Sequence, residues 1–152
     1  MRRTYIVLIG VGVILFVAIS ALLARAFSVD GAERSAITEL VKAEARGDQS
    51  GVVTRITGCA QSSACRARVA LDVAALRRSG AVSILQLQPS SGFSLTGSTG
   101  TARVAWKAGS SLPIVQCVRV RRAGDVIHRW HIELLKISPR ILPSSSDCPR
   151  TF

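Results

Sequence analysis

The run YIVLIGVGVILFVAISALLA, from Tyr5 to Ala24, carries no charged side chain. At about 1.5 Å per residue, a helix of this length covers about 30 Å, the thickness of the hydrocarbon core of a bilayer. Arg2 and Arg3 precede the run, and basic residues beside a span mark its cytoplasmic side. The sequence therefore predicts a transmembrane signal anchor over residues 5–27, with residues 1–4 in the cytoplasm and the rest of the chain outside.

A cleaved signal peptide is the alternative for the same segment. Ala24-Arg25-Ala26 has the small-x-small form of a cleavage site, but the apolar run is longer than a usual signal core of roughly 7–15 residues. Length favours the anchor, and a buried helix of a soluble protein would rarely be apolar on every face. Both alternatives export the rest of the chain. We expect a single-pass protein of the cell membrane, or a secreted protein if the signal is cleaved.

Length and charge limit the exported part to one basic domain. The 152 residues leave about 120 outside the span, a usual size for one domain with its own core. Lysine and arginine number 20 against 9 acidic residues, for a formal net charge of +11. Arginine strongly outnumbers lysine and asparagine is absent, which is typical of a GC-rich bacterial genome.

The four cysteines, an even number, indicate two disulfides in an exported domain. They allow three pairings, of which we favour Cys59 with Cys65 and Cys117 with Cys148. The first pair flanks a short loop between two predicted helices, where a turn can bring the Cα atoms within bridging distance. Cys117 points to the outer face of its predicted strand, and the irregular tail, residues 138–152, is long enough to fold back over that face. A zinc site would need more closely spaced cysteine pairs.

Helix and turn signals predict helices first and strands later. After a polar break at residues 28–31, Asp30 is the expected N-cap of a first helix that ends at Gly47. Asp48 caps a second, shorter helix, and Ser62 precedes a third. The predicted helices lie at about 32–45, between 48 and 58, and at 64–79; the predicted strands lie at 82–88, 101–107, 114–122 and 126–137, with 93–95 a short strand or a loop.

This order predicts an α+β domain over residues 28–137, in which about three helices pack on a bent antiparallel sheet of about four strands. The first helix ends in Ala45-Arg46-Gly47-Asp48, and Trp130-His131-Ile132 lies in the last strand. With these features the chain resembles the nuclear transport factor 2-like, or cystatin-like roll, superfamily from Gly31 to Ile137. The resemblance implies a roll with a pocket between the helices and the inner sheet face.

That superfamily includes ketosteroid isomerases and many noncatalytic domains. The only tyrosine here is Tyr5, in the apolar run, so the exported domain lacks the tyrosine that donates to the oxyanion in the isomerases. The chain looks more like exported members tethered by one helix, including periplasmic scaffold domains of secretion machines. The pocket lining that the resemblance implies, which is more simply explained as core, is Leu40, Val53, Leu76, Val104, Trp106, Val118, Trp130 and Ile132.

Basic side chains alternate with apolar ones along the later strands, so they share the outer sheet face. The predicted basic patch consists of Arg103, Arg119, Arg121, Arg129 and His131. Such a patch would attract an anionic envelope polymer, acidic lipid headgroups or an acidic protein; a merely solvated face is the alternative. We expect no nucleic-acid partner.

No cofactor, metal or catalytic residue is predicted. His128 and His131 are three residues apart on a strand and point to opposite faces, and a nucleophile elbow and a phosphate-binding glycine loop are both missing. We therefore expect a noncatalytic, membrane-tethered extracytoplasmic binding or scaffold domain, accessory to an envelope assembly. The alternative is a small-molecule carrier or an enzyme that uses the pocket of the roll.

Overall fold

The computed structural model of the chain describes residues 2–90, 97–124, 131–142 and 147–152; in the first helix, side chains are described for Tyr5, for residues 8–24 and from residue 28 onward. The elements are α1 (Arg2–Arg46), α2 (Gln49–Arg55), a 3₁₀ turn (Cys59–Gln61), α3 (Ser63–Leu76), β1 (Val82–Gln88), β2 (Ser98–Ala108), β3 (Ile114–Ala123) and β4 (His131–Ile137). The domain is α+β, with an open four-stranded antiparallel sheet, as predicted.

Helix α1 runs without interruption through 45 residues, a length of about 67 Å. The predicted break at residues 28–31 and the N-cap role of Asp30 are therefore wrong. Asp30 instead forms an ion pair with Arg122, and Gly31 weakens a helix interior by only about 1 kcal/mol. The predicted span and first helix are consequently one element, and the described residues contain three α-helices.

The N-terminal part of α1 is long and apolar enough to cross a membrane. Its apolar side chains are exposed in the folded chain, with 70% of Ile14 and 72% of Phe16 accessible. Large apolar side chains exposed in this way fit a helix whose surroundings are lipid. The segment suits either an anchor or a signal sequence, and the two disulfides fit an oxidising compartment outside the cytoplasm.

Local capping positions the two short helices. The Asp48 carboxylate accepts a hydrogen bond from the Gly51 N–H at 2.8 Å, and the Ser62 hydroxyl accepts one from the Cys65 N–H at 3.2 Å. The predicted Asp48 cap is confirmed, and Ser62, which was predicted to precede the third helix, is its N-cap. Gly47 turns the chain between α1 and α2 with a φ of 79°, a conformation that glycine adopts without a steric penalty.

The sheet has the order β1-β2-β3-β4, with neighbours joined in sequence. Register shifts interrupt the β1–β2 ladder at Ile84/Gln86 and the β3–β4 ladder at Arg119/Val120, and such bulges bend a sheet. Strand β2 begins earlier than predicted, at Ser98. The predicted strand or loop at 93–95, and the start of the last strand at 126, lie outside the described residues.

The core lies between the helices and the inner face of the sheet. Ala102, Val104 and Trp106 of β2 face it beside Ile114, Val118 and Val120 of β3. Of the predicted pocket lining, Leu40, Leu76, Val104, Trp106 and Val118 are buried in this core, Val53 and Ile132 are partly buried against it, and Trp130 lies outside the described residues.

Candidate functional site

A partly buried ionic cluster joins α1 to β3. Arg122 Nη2 lies 2.7 Å from Asp30 Oδ1 and 2.8 Å from Glu33 Oε2. The Ser90 N–H and hydroxyl donate to the two Glu33 oxygens at 2.6 and 2.9 Å. Glu33 is fully buried. We call Asp30, Glu33, Ser90 and Arg122 the juxtamembrane clamp, because the cluster directly follows the apolar part of α1, which is the candidate membrane span.

Two features of the sequence make this clamp possible. Asp30 and Glu33 are three residues apart on α1, so their side chains project from one face. Gly100 lets the loop carrying Ser90 approach, since a Cβ at Gly100 would lie 2.6 Å from the Ser90 Cβ. The clamp fixes the position of the domain relative to the helix that enters it.

A second polar cluster lies inside the core. The Trp106 indole donates to Gln116 Oε1 at 2.7 Å, and Gln116 Nε2 donates to Glu44 Oε2 at 2.9 Å and to the Ser138 carbonyl at 3.1 Å. Glu44, Trp106 and Gln116 are fully buried. Within the described part of the chain, Glu44 Oε1 and Asp72 Oδ2 are buried without a hydrogen-bond partner.

Burial raises the pKa of Glu44 to about 7, partly opposed by the Gln116 hydrogen bond and assisted by the nearby Asp72 carboxylate. Burial likewise raises the pKa of Asp72, against the opposing charge of Arg68. A carboxyl group with the pKa of Glu44 can donate or accept a proton near neutral pH. Because Glu44 and its partners are fully buried, a change in the protonation of Glu44 affects the stability of the fold.

Replacing Glu44 with glutamine should flatten the dependence of stability on pH. The folded-state pKa of about 7 lies above the ordinary 4.5, so the folded protein binds the proton more tightly and stability falls as pH rises from about 4.5 through 7. At pH 8, E44Q should therefore be more stable than the unsubstituted protein by up to about 3 kcal/mol. Urea unfolding between pH 5 and 8 measures this. The pKa of Glu39 on α1 is lowered by Lys42, so E39Q should leave the fall in stability over this range unchanged. An unchanged fall in E44Q would exclude Glu44 as its source.

The outer sheet face is covered in part by the C-terminal tail. Cys117 and Cys148 form a disulfide with a Cα–Cα distance of 5.8 Å, and Cys59 and Cys65 form one at 5.2 Å. Both predicted pairings are confirmed. The Ser138 N–H donates to the Cys117 carbonyl at 2.8 Å, and the Ser138 hydroxyl accepts from the Cys117 N–H at 2.8 Å, so the tail begins against β3.

The described members of the predicted basic patch lie on this outer face and make contacts within the chain. Arg119 donates to the Arg150 carbonyl at 2.7 Å, and its guanidinium carbon lies 5.5 Å from the centre of the Phe152 ring. Arg121 forms an ion pair with Glu133. Arg103 lies opposite Cys117 in the sheet, and His131 Nε2 lies 3.2 Å from Glu133 Oε1. The fifth member, Arg129, lies outside the described residues.

The sequence analysis did not predict either cluster, although the sequence contains signals for both. Glu44 falls on the apolar side of α1, and Gln116 lies between two inward positions of β3, Ile114 and Val118. A polar residue in such a position needs a buried partner, but the pattern does not say which one. Glu33, a charged residue of a type that is mostly exposed, is also fully buried.

Comparison with known protein families, with characterised proteins and with solved structures found no match. Among the described residues, no three His, Cys, Asp or Glu side chains are grouped as metal ligands would be. The arrangement itself therefore carries the functional argument.

Proposed function

We propose that this chain is a noncatalytic, membrane-tethered domain that acts outside the cytoplasm as a binding or scaffold accessory of an envelope assembly. The observation that carries the proposal is the continuity of α1. The same helix provides the apolar segment and, from Glu33 to Glu44, buried side chains of the domain.

A tether of this kind differs from a flexible linker. The juxtamembrane clamp ties α1 to β3 through a buried ion pair, so the domain would keep one orientation to the bilayer. A fixed orientation suits a scaffold that presents one surface to neighbouring proteins. Helices that precede a four-stranded antiparallel sheet also support the proposed likeness to the nuclear transport factor 2-like roll.

Topology provides the test. We expect residues 1–4 to be cytoplasmic, so a reporter fused after Phe152 should be active only if it works outside the cytoplasm. The native protein should migrate with its full length, and not with the length of a control that begins at Phe27. If a reporter that works only in the cytoplasm is active when fused after Phe152, the proposal is rejected. Migration with the shorter control would show that the apolar segment is a cleaved signal and not an anchor.

The outer face remains the proposed contact for an anionic partner. Arg103, Arg119 and Arg121 lie on neighbouring strands, and the chain carries a net charge of +11. Glutamine at Arg119, Arg121 and Arg129 together should weaken binding to anionic vesicles or envelope polymers. The binding should also fall steeply with salt, because exposed charges are screened beyond about 8 Å at physiological ionic strength. Full binding by the triple variant would leave the patch as a solvated surface.

The Glu44 cluster favours a second candidate, a carrier or enzyme that uses the core. A carboxyl group with a pKa of about 7 is a usual component of an acid–base site. Under this proposal a small ligand would contact Glu44, and E44Q would abolish its binding. Under the scaffold proposal, E44Q changes stability alone.

A further inference from the structure

Three arginines line an open surface groove at the end of the domain opposite the juxtamembrane clamp. Arg46 is the last residue of α1, and Arg77 and Arg78 follow α3 directly; Ser79 and Gly80 complete the lining. We call this the distal arginine groove. Its lining contains no large apolar side chain, so a ligand would be held mainly by charge and hydrogen bonds.

The backbone holds these arginines together. The Arg78 N–H donates to the Ala45 carbonyl at 2.9 Å, which joins the C-terminal ends of α3 and α1. The stem of Arg77 crosses Gly47, where a Cβ would lie only 3.0 Å from the Arg77 Cδ. A side chain at Gly47 would therefore push Arg77 away, so glycine there supports both the turn and the groove.

Within the described residues, none of the three guanidinium groups of the groove forms an ion pair, and only Arg46 interacts at longer range with carboxylates, those of Asp48 and Glu39. Arg78 Nη1 donates to the Ala75 and Arg77 carbonyls at 3.0 and 2.7 Å, and the C-terminal ends of two helices attract cations. These contacts offset part of the repulsion. Arg46 and Arg77, both exposed, still present donors to solvent, and an anion between them would offset the rest.

We propose that the distal arginine groove binds a phosphate group of an anionic envelope polymer. The planar guanidinium matches phosphate oxygens with two parallel N–H donors. An acidic protein segment would gain little here, because protein interfaces draw much of their affinity from apolar anchors that this groove does not offer.

The bilayer to which the domain is tethered would not supply the phosphate. Arg46 lies 19 residues beyond Phe27 on one helix, which places the groove about 28 Å from the end of the span. That distance exceeds the Debye length of about 8 Å several-fold. This step rests on the anchored orientation proposed above, whereas phosphate binding itself does not.

Fluorescence anisotropy with labelled inorganic polyphosphate tests the proposal on the full-length protein in zwitterionic nanodiscs at physiological salt. The variant R46Q/R77Q/R78Q should bind at least about tenfold more weakly, because charge-assisted bidentate hydrogen bonds are lost. The variant R46K/R77K/R78K keeps the charge and should also bind more weakly than the unsubstituted protein, since lysine lacks the planar fork.

The matched control is R34Q/R66Q/R140Q, which removes three exposed positive charges from α1, α3 and the segment after β4. It should change affinity by about twofold or less. Equal losses of affinity in the two glutamine triple variants would show that binding depends only on general charge attraction, and would overturn the proposal. So would unchanged binding by the groove triple, or labelled polyglutamate binding as tightly as polyphosphate.

Anionic nanodiscs distinguish the source of the phosphate. With the groove about 28 Å from the bilayer, anionic lipid should leave the affinity for polyphosphate unchanged. Competition by anionic lipid would show that headgroups reach the groove and would overturn the assignment to a polymer. The reporter experiment on topology is independent, so failure of the anchor and failure of the groove give different results.

Discussion

Replacing Arg122 with methionine should lower the free energy of unfolding by about 3–5 kcal/mol, because the change leaves Glu33 as a buried charge without its counterion. Glu33 is fully buried, and 13% of the Arg122 side chain is accessible, so water cannot take over the lost interaction. Two donors would remain, the N–H and the hydroxyl of Ser90. Urea unfolding in detergent micelles, followed by tryptophan fluorescence, measures the loss.

Arg121 provides the matched control on the adjacent position of β3. It also pairs with a glutamate, Glu133, but half of its side chain is accessible, and an exposed pair contributes about 1 kcal/mol or less. R121M should therefore be nearly neutral. Equal losses in R121M and R122M would mean that the clamp is energetically an ordinary surface pair.

The double variant E33Q/R122M separates the pair from the cost of breaking it. Removing both charges leaves no unpaired buried ion, neutral replacements for a buried pair often cost little, and the glutamine oxygen can still accept a hydrogen bond from Ser90. We expect E33Q/R122M to recover most of the stability lost in R122M. If so, the clamp serves orientation of the domain more than stability, which suits the proposed tether.

Local signals in the sequence predicted what local interactions determine. Asp48 and Ser62 cap their helices through donors three residues further on, and the alternation in β2 and β3 gave the inner and outer faces of the sheet. The Cys59–Cys65 bridge spans six residues, so a turn suffices to form it. In each case the information lies within one or two turns of chain.

Long-range partners explain where the predictions failed. Asp30 has the form of a helix cap, yet Arg122, 92 residues away, engages its carboxylate and the helix continues through Gly31. Glu44 reaches Gln116, 72 residues away, and Glu33 reaches Ser90, 57 residues away. Periodicity identifies the face on which a residue lies, but not the residue that meets it from another element.

Removal of the Cys117–Cys148 bridge is the second change for which we expect a large effect. The bridge closes a separation of 31 residues, against six for Cys59–Cys65. On the chain-entropy account the longer bridge contributes about 3–4 kcal/mol and the shorter one roughly 2 kcal/mol. The variant C117A/C148A should therefore unfold at a lower urea concentration than C59A/C65A.

The two alanine pairs are well matched, since each removes one fully buried sulfur, at Cys117 or Cys59, and so leaves a similar cavity. A larger loss for C59A/C65A would show that cavity formation outweighs loop entropy and would contradict the expectation. A second readout concerns the tail alone. In C117A/C148A the tail should become sensitive to trypsin at Arg150, whereas in C59A/C65A the tail should stay protected.

Loss of this bridge should also affect the outer face. The tail holds Arg119 through the Arg150 carbonyl and the Phe152 ring, and the disulfide fixes the start of that final segment at Cys148. Freed from the tail, Arg119 would present its donors to solvent beside Arg121. If the outer face binds an anionic partner, C117A/C148A should bind it more tightly than C59A/C65A does, although it is the less stable of the two. Weaker binding would instead assign the tail to the contact surface itself.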